Sequence, residues 1–239
     1  MGPNISINQT DNLDTSNSKI IPQKISSNTK KETVFIFDWD DTLMCTSFIL
    51  SKDQNLSEED KKLINNLGKI VNIFLKECNK YGKIIIMTNS TEKWMKQTSE
   101  KYLKIKNILI SKIQIISTRD LFSKKGIETK KWKELAMEDI LYKYGDKIEN
   151  IICGSDSEND IEVFKNISKK YNKINISTIK FKSKPSPLIM IKQIQYLNKK
   201  INEIIGANKN YYLIKEKEKE IKDDFNFSFG YLLVYIFPN

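Results

Sequence analysis

Short continuous apolar runs alternate along this chain with longer segments in which apolar residues recur every three or four positions. Val34-Phe35-Ile36-Phe37 is the first run, ended by acids, and it predicts a strand buried on both faces of a parallel sheet. Ser57-Glu58-Glu59-Asp60 then sets a capping serine and first-turn acids ahead of Leu63, Ile64, Leu67, Ile70, Val71, Phe74 and Leu75, whose spacing is helical. Gly82 is a stop signal, and Lys83-Ile84-Ile85-Ile86-Met87 reads as a second buried strand closing on Thr88 and Asn89. Beyond it the pattern predicts a helix over 91–103, a strand over 113–116, a helix over 132–144 stopped by Gly145, and a strand over 151–153 leading into a Gly-Ser-Asp turn. A helix over 161–171, a fifth strand over 174–181 and a helix from Pro185-Ser186-Pro187 to Ile204 complete the series.

Strands alternating with helices argue for βαβ units, and the fold class they predict is α/β, a Rossmann-like three-layer sandwich around a central parallel sheet. Residues 1–31 are rich in Asn, Ser, Thr and Lys and lack apolar periodicity, so they read as a flexible tail that buries too little surface to offset the entropy of ordering. The α/β unit is expected over 32–205, followed by a C-terminal extension over 206–239. In that extension Lys alternates with Glu or Asp over 215–224 before an aromatic and apolar end, which reads as an extra strand or a packed tail.

Composition narrows the chemistry mainly by exclusion. The 239 residues include no histidine, which removes His-based catalysis, His-ligated zinc and Ser-His-Asp triads. Acid–base work therefore falls to carboxylates, Lys, Tyr or Cys. The formal charge of +10 favours acidic partners, but the lysines are dispersed, so no nucleic-acid partner is expected. No apolar run reaches the roughly 18–20 residues that span a bilayer, so no membrane association is expected. Cys45, Cys78 and Cys153 lack metal-type spacing and are odd in number, which fits a reducing, cytoplasmic location. Oligomeric state is not legible.

The residues that carry chemistry follow the strands. Asp38-Trp39-Asp40-Asp41-Thr42 sits directly after the first buried run, where open α/β sheets place their ligand sites. Period-two alternation would project Asp38 and Asp40 to one side, letting two carboxylates converge on one substrate atom. Adjacent carboxylates repel unless a cation intervenes or one takes a proton, so the pair costs stability without structural return. Asp41 reads instead as a solvated turn acid or a helix-terminus partner.

This constellation resembles the haloacid dehalogenase-like superfamily, in its phosphatase branch. The first motif of that superfamily, Asp-x-Asp-x-Thr after a strand, is matched by Asp38, Asp40 and Thr42; the second, a hydroxyl closing the next core strand, by Thr88. A pair of acids after a later strand is matched by Asp156 and Asp160, with Ser155 where the family often has glycine; Asp160 reads equally as a helix N-terminal acid. The remaining motif is a lysine near the start of the preceding helix. Lys124, Lys125, Lys130, Lys131 and Lys133 all lie in the window, and Lys133 is preferred because Trp132-Lys133 opens the periodic segment.

The resemblance implies a Mg2+-dependent phosphomonoesterase working through an aspartyl-phosphate. Asp38 would be the nucleophile and Asp40 the acid and base, with Thr88, Asn89 and Lys133 binding the phosphate. Asp38, Asp40 (through its carbonyl), Asp156 and Asp160 are the candidate metal ligands. It implies a phosphorylated substrate, protein or small molecule. The spacing between motifs leaves room for minimal or no cap, as in members that act on phosphoproteins or other bulky substrates. A phosphotransferase, or a non-catalytic interaction protein that keeps the fold, stands as the alternative.

Overall fold

The computed structural model describes residues 32–52, 55–105, 112–206 and the backbone of 233–236. Its strands are β1 (Glu32–Phe37), β2 (Gly82–Thr88), β3 (Gln114–Ser117), β4 (Ile148–Ser155), β5 (Asn175–Lys180) and β6 (Leu233–Ile236), joined in one sheet of order β3-β2-β1-β4-β5-β6. The first five run parallel, and β6 pairs antiparallel with β5. The helices are α1 (Thr46–Ser51), α2 (Glu58–Tyr81), α3 (Glu92–Thr98), α4 (Thr118–Phe122), α5 (Thr129–Tyr144), α6 (Glu158–Lys170) and α7 (Pro187–Gly206). α3 runs directly into a π-helical turn, Ser99–Leu103.

Alternation along the central strands builds the two cores. Phe35 and Phe37 of β1, with Ile84 and Ile86 of β2, face a layer that includes Leu67, Val71 and Phe74 of α2 and Ile194 and Leu197 of α7. Val34 and Ile36, with Ile85 and Met87, face Met137 and Ile140 of α5 and Phe164 and Ile167 of α6. A parallel sheet covered on both faces needs such continuous apolar strands, and the result is the three-layer α/β sandwich the pattern predicts.

The capping serine acts as expected at the start of α2. Ser57 Oγ accepts from the Asp60 backbone N–H at 3.1 Å, and the Asp60 carboxylate accepts from the Ser57 N–H at 3.2 Å, closing a reciprocal capping box. Two short helices, α1 and α4, were not legible: at five or six residues each they are too short to show a period. The sheet also takes in Leu233–Ile236, a piece of the C-terminal extension. The expected N-terminal tail, 1–31, and most of that extension lie outside the described residues.

The sheet order fixes where a ligand can sit. β1 continues to β2 and β3 on one side, and the chain then crosses over to β4 and β5 on the other. The order therefore reverses between β1 and β4, and the crevice beyond their carboxyl ends is the place where such sheets bind ligands. Asp38 follows β1 and Asp156 follows β4. Among the described residues, neither the segment after β1 nor that after β2 carries a separate cap domain.

Candidate active site

Ladder pairing of β1 and β4 runs to Phe37 and Gly154, and the next amide, Asp38 N–H, donates to the Gly154 carbonyl at 2.9 Å. Asp38 keeps the parity of Val34 and Ile36, so its carboxylate faces the α5 side of the sheet. There Lys133, buried in the first turns of α5, places Nζ 2.8 Å from Asp38 Oδ2 and also bonds Asp160 Oδ2. The other oxygen, Asp38 Oδ1, accepts from the Trp39 N–H at 2.7 Å. Of the five candidate lysines only Lys133 is buried; Lys124, Lys125, Lys130 and Lys131 are exposed, Lys130 pairing with Glu128 at 3.0 Å.

Period-two alternation does not carry past Asp38. The chain bends at Trp39, and Asp41 takes a left-handed conformation at φ 55°. Asp40 consequently meets a separate set of partners rather than sharing those of Asp38, which corrects the expectation of simple alternation. Its Oδ1 accepts from Thr46 Oγ1 at 2.6 Å and Trp94 Nε1 at 3.1 Å, and its Oδ2 from Ser90 Oγ at 2.6 Å, with Thr88 Oγ1 at 3.5 Å. Asp41 is buried and accepts from the backbone N–H of Ser47 at 2.8 Å and from its hydroxyl, so of its two expected roles it takes the helix-terminus one, at α1.

The strand-end residues are tied together below this pair. Thr88 is fully buried and accepts from the Ser90 N–H at 3.0 Å. Thr118 Oγ1 reaches both the Thr88 carbonyl, at 3.1 Å, and Asn89 Oδ1, at 2.5 Å, so the amide oxygen of Asn89 is engaged at β2. On β4, Ser155 Oγ donates to Asp160 Oδ2 at 2.6 Å and stands 3.5 Å from Asp38 Oδ2. Thr42 Oγ1 accepts from the Asp156 N–H at 3.0 Å, pinning the two loops to one another.

The electrostatics are those of crowded acids. Burial, only partly offset by Lys133 and reinforced by Asp160, pushes the Asp38 carboxyl up to about 7. Burial and the neighbouring Asp41 and Asp160 push Asp156 up to about 6. Burial pulls Lys133 down, but Asp38 and Asp160 outweigh it and hold the ammonium above the ordinary lysine range.

The four acids named as metal ligands do not form one cluster: among the described residues, no three acids or cysteines come together closely enough to hold a metal ion. Asp40 spends its carboxylate on Thr46, Ser90 and Trp94, and Asp160 turns an oxygen to Lys133 and Ser155. The Asp156 carboxylate, by contrast, accepts no hydrogen bond from the described residues while facing two like charges. One unpaired acid beside the Asp38 carboxyl suits Mg2+, which takes one or two carboxylates and keeps several waters.

Residues 33–140 match the family model described as NLI interacting factor-like phosphatase, a segment that runs from β1 into α5 and contains Asp38, Asp40, Thr88 and Lys133. That family is one of haloacid dehalogenase-like phosphatases, and the match, over a little under half of the sequence, supports the resemblance that the motifs give this chain. No curated protein and no solved structure matches it. The site includes side chains that the sequence reading passed over: Thr46, Ser90 and Trp94 around Asp40, and Thr118 against Asn89. Only Ser155 carried a signal, as a hydroxyl where the resemblance led one to expect glycine.

Proposed function

We propose that this protein is a phosphatase that hydrolyses phosphate monoesters in a Mg2+-dependent reaction through an aspartyl-phosphate on Asp38, with phosphoproteins or other bulky esters as substrates. One observation carries the reading: the two acids flanking Trp39 have disjoint partners. Asp38, at the strand end, faces a buried ammonium and a backbone N–H, while Asp40 is clamped by neutral donors from three other segments. A nucleophile and a proton carrier need such different settings.

Asp38 attacks phosphorus in line, and Asp40 gives its proton to the departing alkoxide. Asp40 then takes a proton from the water that attacks the phosphoryl group, and Asp38 is released with inorganic phosphate. Lys133 and the Thr88 hydroxyl hold the phosphoryl oxygens as charge redistributes, with Asn89 beside them. Mg2+, when bound by Asp38, the Asp40 carbonyl and Asp156, supplies the positive charge that offsets repulsion between nucleophile and phosphoryl group. Bulky substrates follow from the absence of a cap domain among the described residues.

The test is release of inorganic phosphate from an aryl phosphate, with Mg2+ and with chelator, by wild type and by Asp38→Asn. Turnover confined to the wild type with Mg2+, together with a hydroxylamine-labile phosphoenzyme, supports the reading. Equal rates in the two proteins would remove Asp38 from the chemistry.

A further inference from the structure

A cavity of about 490 Å3 opens beside Asp40, within the size range of small-molecule sites. Met44, Ile49, Leu50, Trp94 and Tyr102 supply its apolar lining. Thr46 and Trp94 belong at once to its wall and to the clamp on Asp40, so the cavity lies one side chain away from the acid. We propose that this cavity is the leaving-group subsite and takes an alcohol that carries an uncharged aromatic or branched apolar body. The proposal rests on the phosphohydrolase reading, in which Asp40 protonates the leaving oxygen.

Three features of the wall support an apolar occupant. Leu50 is 54% exposed there, bare hydrocarbon on a chain whose residues are 29% charged. The ionic residues lining the cavity are Glu100 and Lys101, of opposite sign, so the lining gives no net charge with which to select an ionic leaving group. Glu100, Lys101 and Tyr102 all come from the π-helical turn, a geometry rare in helices and frequent at functional sites. That turn is seated on α2 through Gly68, where an added Cβ would stand 2.1 Å from the Leu103 carbonyl oxygen.

Wall and acid are also tied together through Trp39. Trp39, fully buried between Asp38 and Asp40, donates through Nε1 to Thr98 Oγ1 at 2.9 Å, and Thr98 lines the cavity. An occupant that fills the cavity therefore presses on the element that orients the proton donor, which links recognition of the leaving group to its protonation.

The test compares 2-naphthyl phosphate with phenyl phosphate, whose leaving phenols are of similar acidity, in wild type, Leu50→Glu and Gln97→Trp. Both substituted positions are on the surface, the first placing a charge in the cavity and the second a bulky ring. The expected wild-type preference in kcat/KM for the naphthyl ester is about ten-fold, falling toward unity in both variants. Equilibrium binding of 2-naphthol in chelator is the second readout, expected to weaken about ten-fold in each variant. A wild-type ratio near unity with no naphthol bound, or a ratio retained in both variants, overturns the subsite. If no ester is hydrolysed yet naphthol binds the wild type and not the variants, the cavity stands and the hydrolase reading falls.

Discussion

Replacing Asp38 by Asn should abolish turnover and, in metal-free buffer at pH 8, make the protein more stable. The buried cluster holds two carboxylates, Asp38 and Asp160, against one ammonium, Lys133. Asp38 titrates near 7 in the folded chain, against about 3.9 for an unperturbed Asp. A folded-state value above the unfolded one means that the native protein binds the proton more tightly. The stability this confers is whole below about pH 4 and is lost as pH rises through about 7. At pH 8 the ionised Asp38 thus forfeits about 4 kcal/mol, at 1.36 kcal/mol for each pH unit of the shift. That figure already includes the pairing with Lys133; Asn does not titrate and keeps the shape, but its amide meets the Lys133 ammonium and the Trp39 N–H less well than a carboxyl does, so the net gain should be about 1–3 kcal/mol.

The assay is urea unfolding followed by tryptophan fluorescence, for both proteins with chelator at pH 5, 6, 7 and 8. The gap between them should open as pH rises and be small at pH 5. Adding Mg2+ at pH 8 should close it by stabilising the wild type in proportion to the logarithm of metal concentration, with a weaker response from Asp38→Asn. A variant less stable than wild type at every pH, or a gap independent of pH, would refute the reasoning that Asp38 is held at an energetic cost for its chemistry.

Three further outcomes are expected. Gly154→Ala should lower stability by about 1–3 kcal/mol in the same unfolding assay, because its Cβ would stand 2.7 Å from Phe37 Cδ1 and 2.9 Å from Phe181 Cε2. Ser90→Ala removes a 2.6 Å donor from Asp40 and should reduce kcat by about ten-fold with a smaller change in KM, read from steady-state kinetics on an aryl phosphate. All three cysteines are buried, with burial pushing Cys45 up to about 12 and Cys78 and Cys153 above the ordinary thiol range. None should react with a disulfide reagent at pH 8 until urea unfolds the chain, when all three should be titrated.

What the sequence makes legible depends on how far apart the interacting residues lie. Val34 to Phe37 and Ile84 to Met87 declare buried parallel strands because burial on both faces needs every position to be apolar. Ser57 and Asp60 declare a helix start because a capping box closes within one turn. Parity also works at long range when a strand supplies it: Asp38 shares the face of Val34 and Ile36, and that face is covered by α5, which is why a lysine in the opening turns of that helix can meet it. Lys133 was distinguishable from its four neighbours only because it opens the apolar period and so turns inward, whereas Lys130 and Lys131 precede it.

The clamp on Asp40 had no comparable signal. Thr46, Ser90 and Trp94 reach it from 6, 50 and 54 residues away, each by one hydrogen bond and none within a recognisable motif. Nothing periodic marks them, and the bend at Trp39 that makes the three directions accessible breaks the one rule that predicted where Asp40 would point. Trp39 itself explains the break. A fully buried indole between two acids must leave the strand line to reach Thr98, and in doing so it turns Asp40 toward α3 while Asp38 stays on the sheet. Replacing Trp39 by a small side chain should therefore disturb the two acids unequally, relaxing Asp40 more than Asp38.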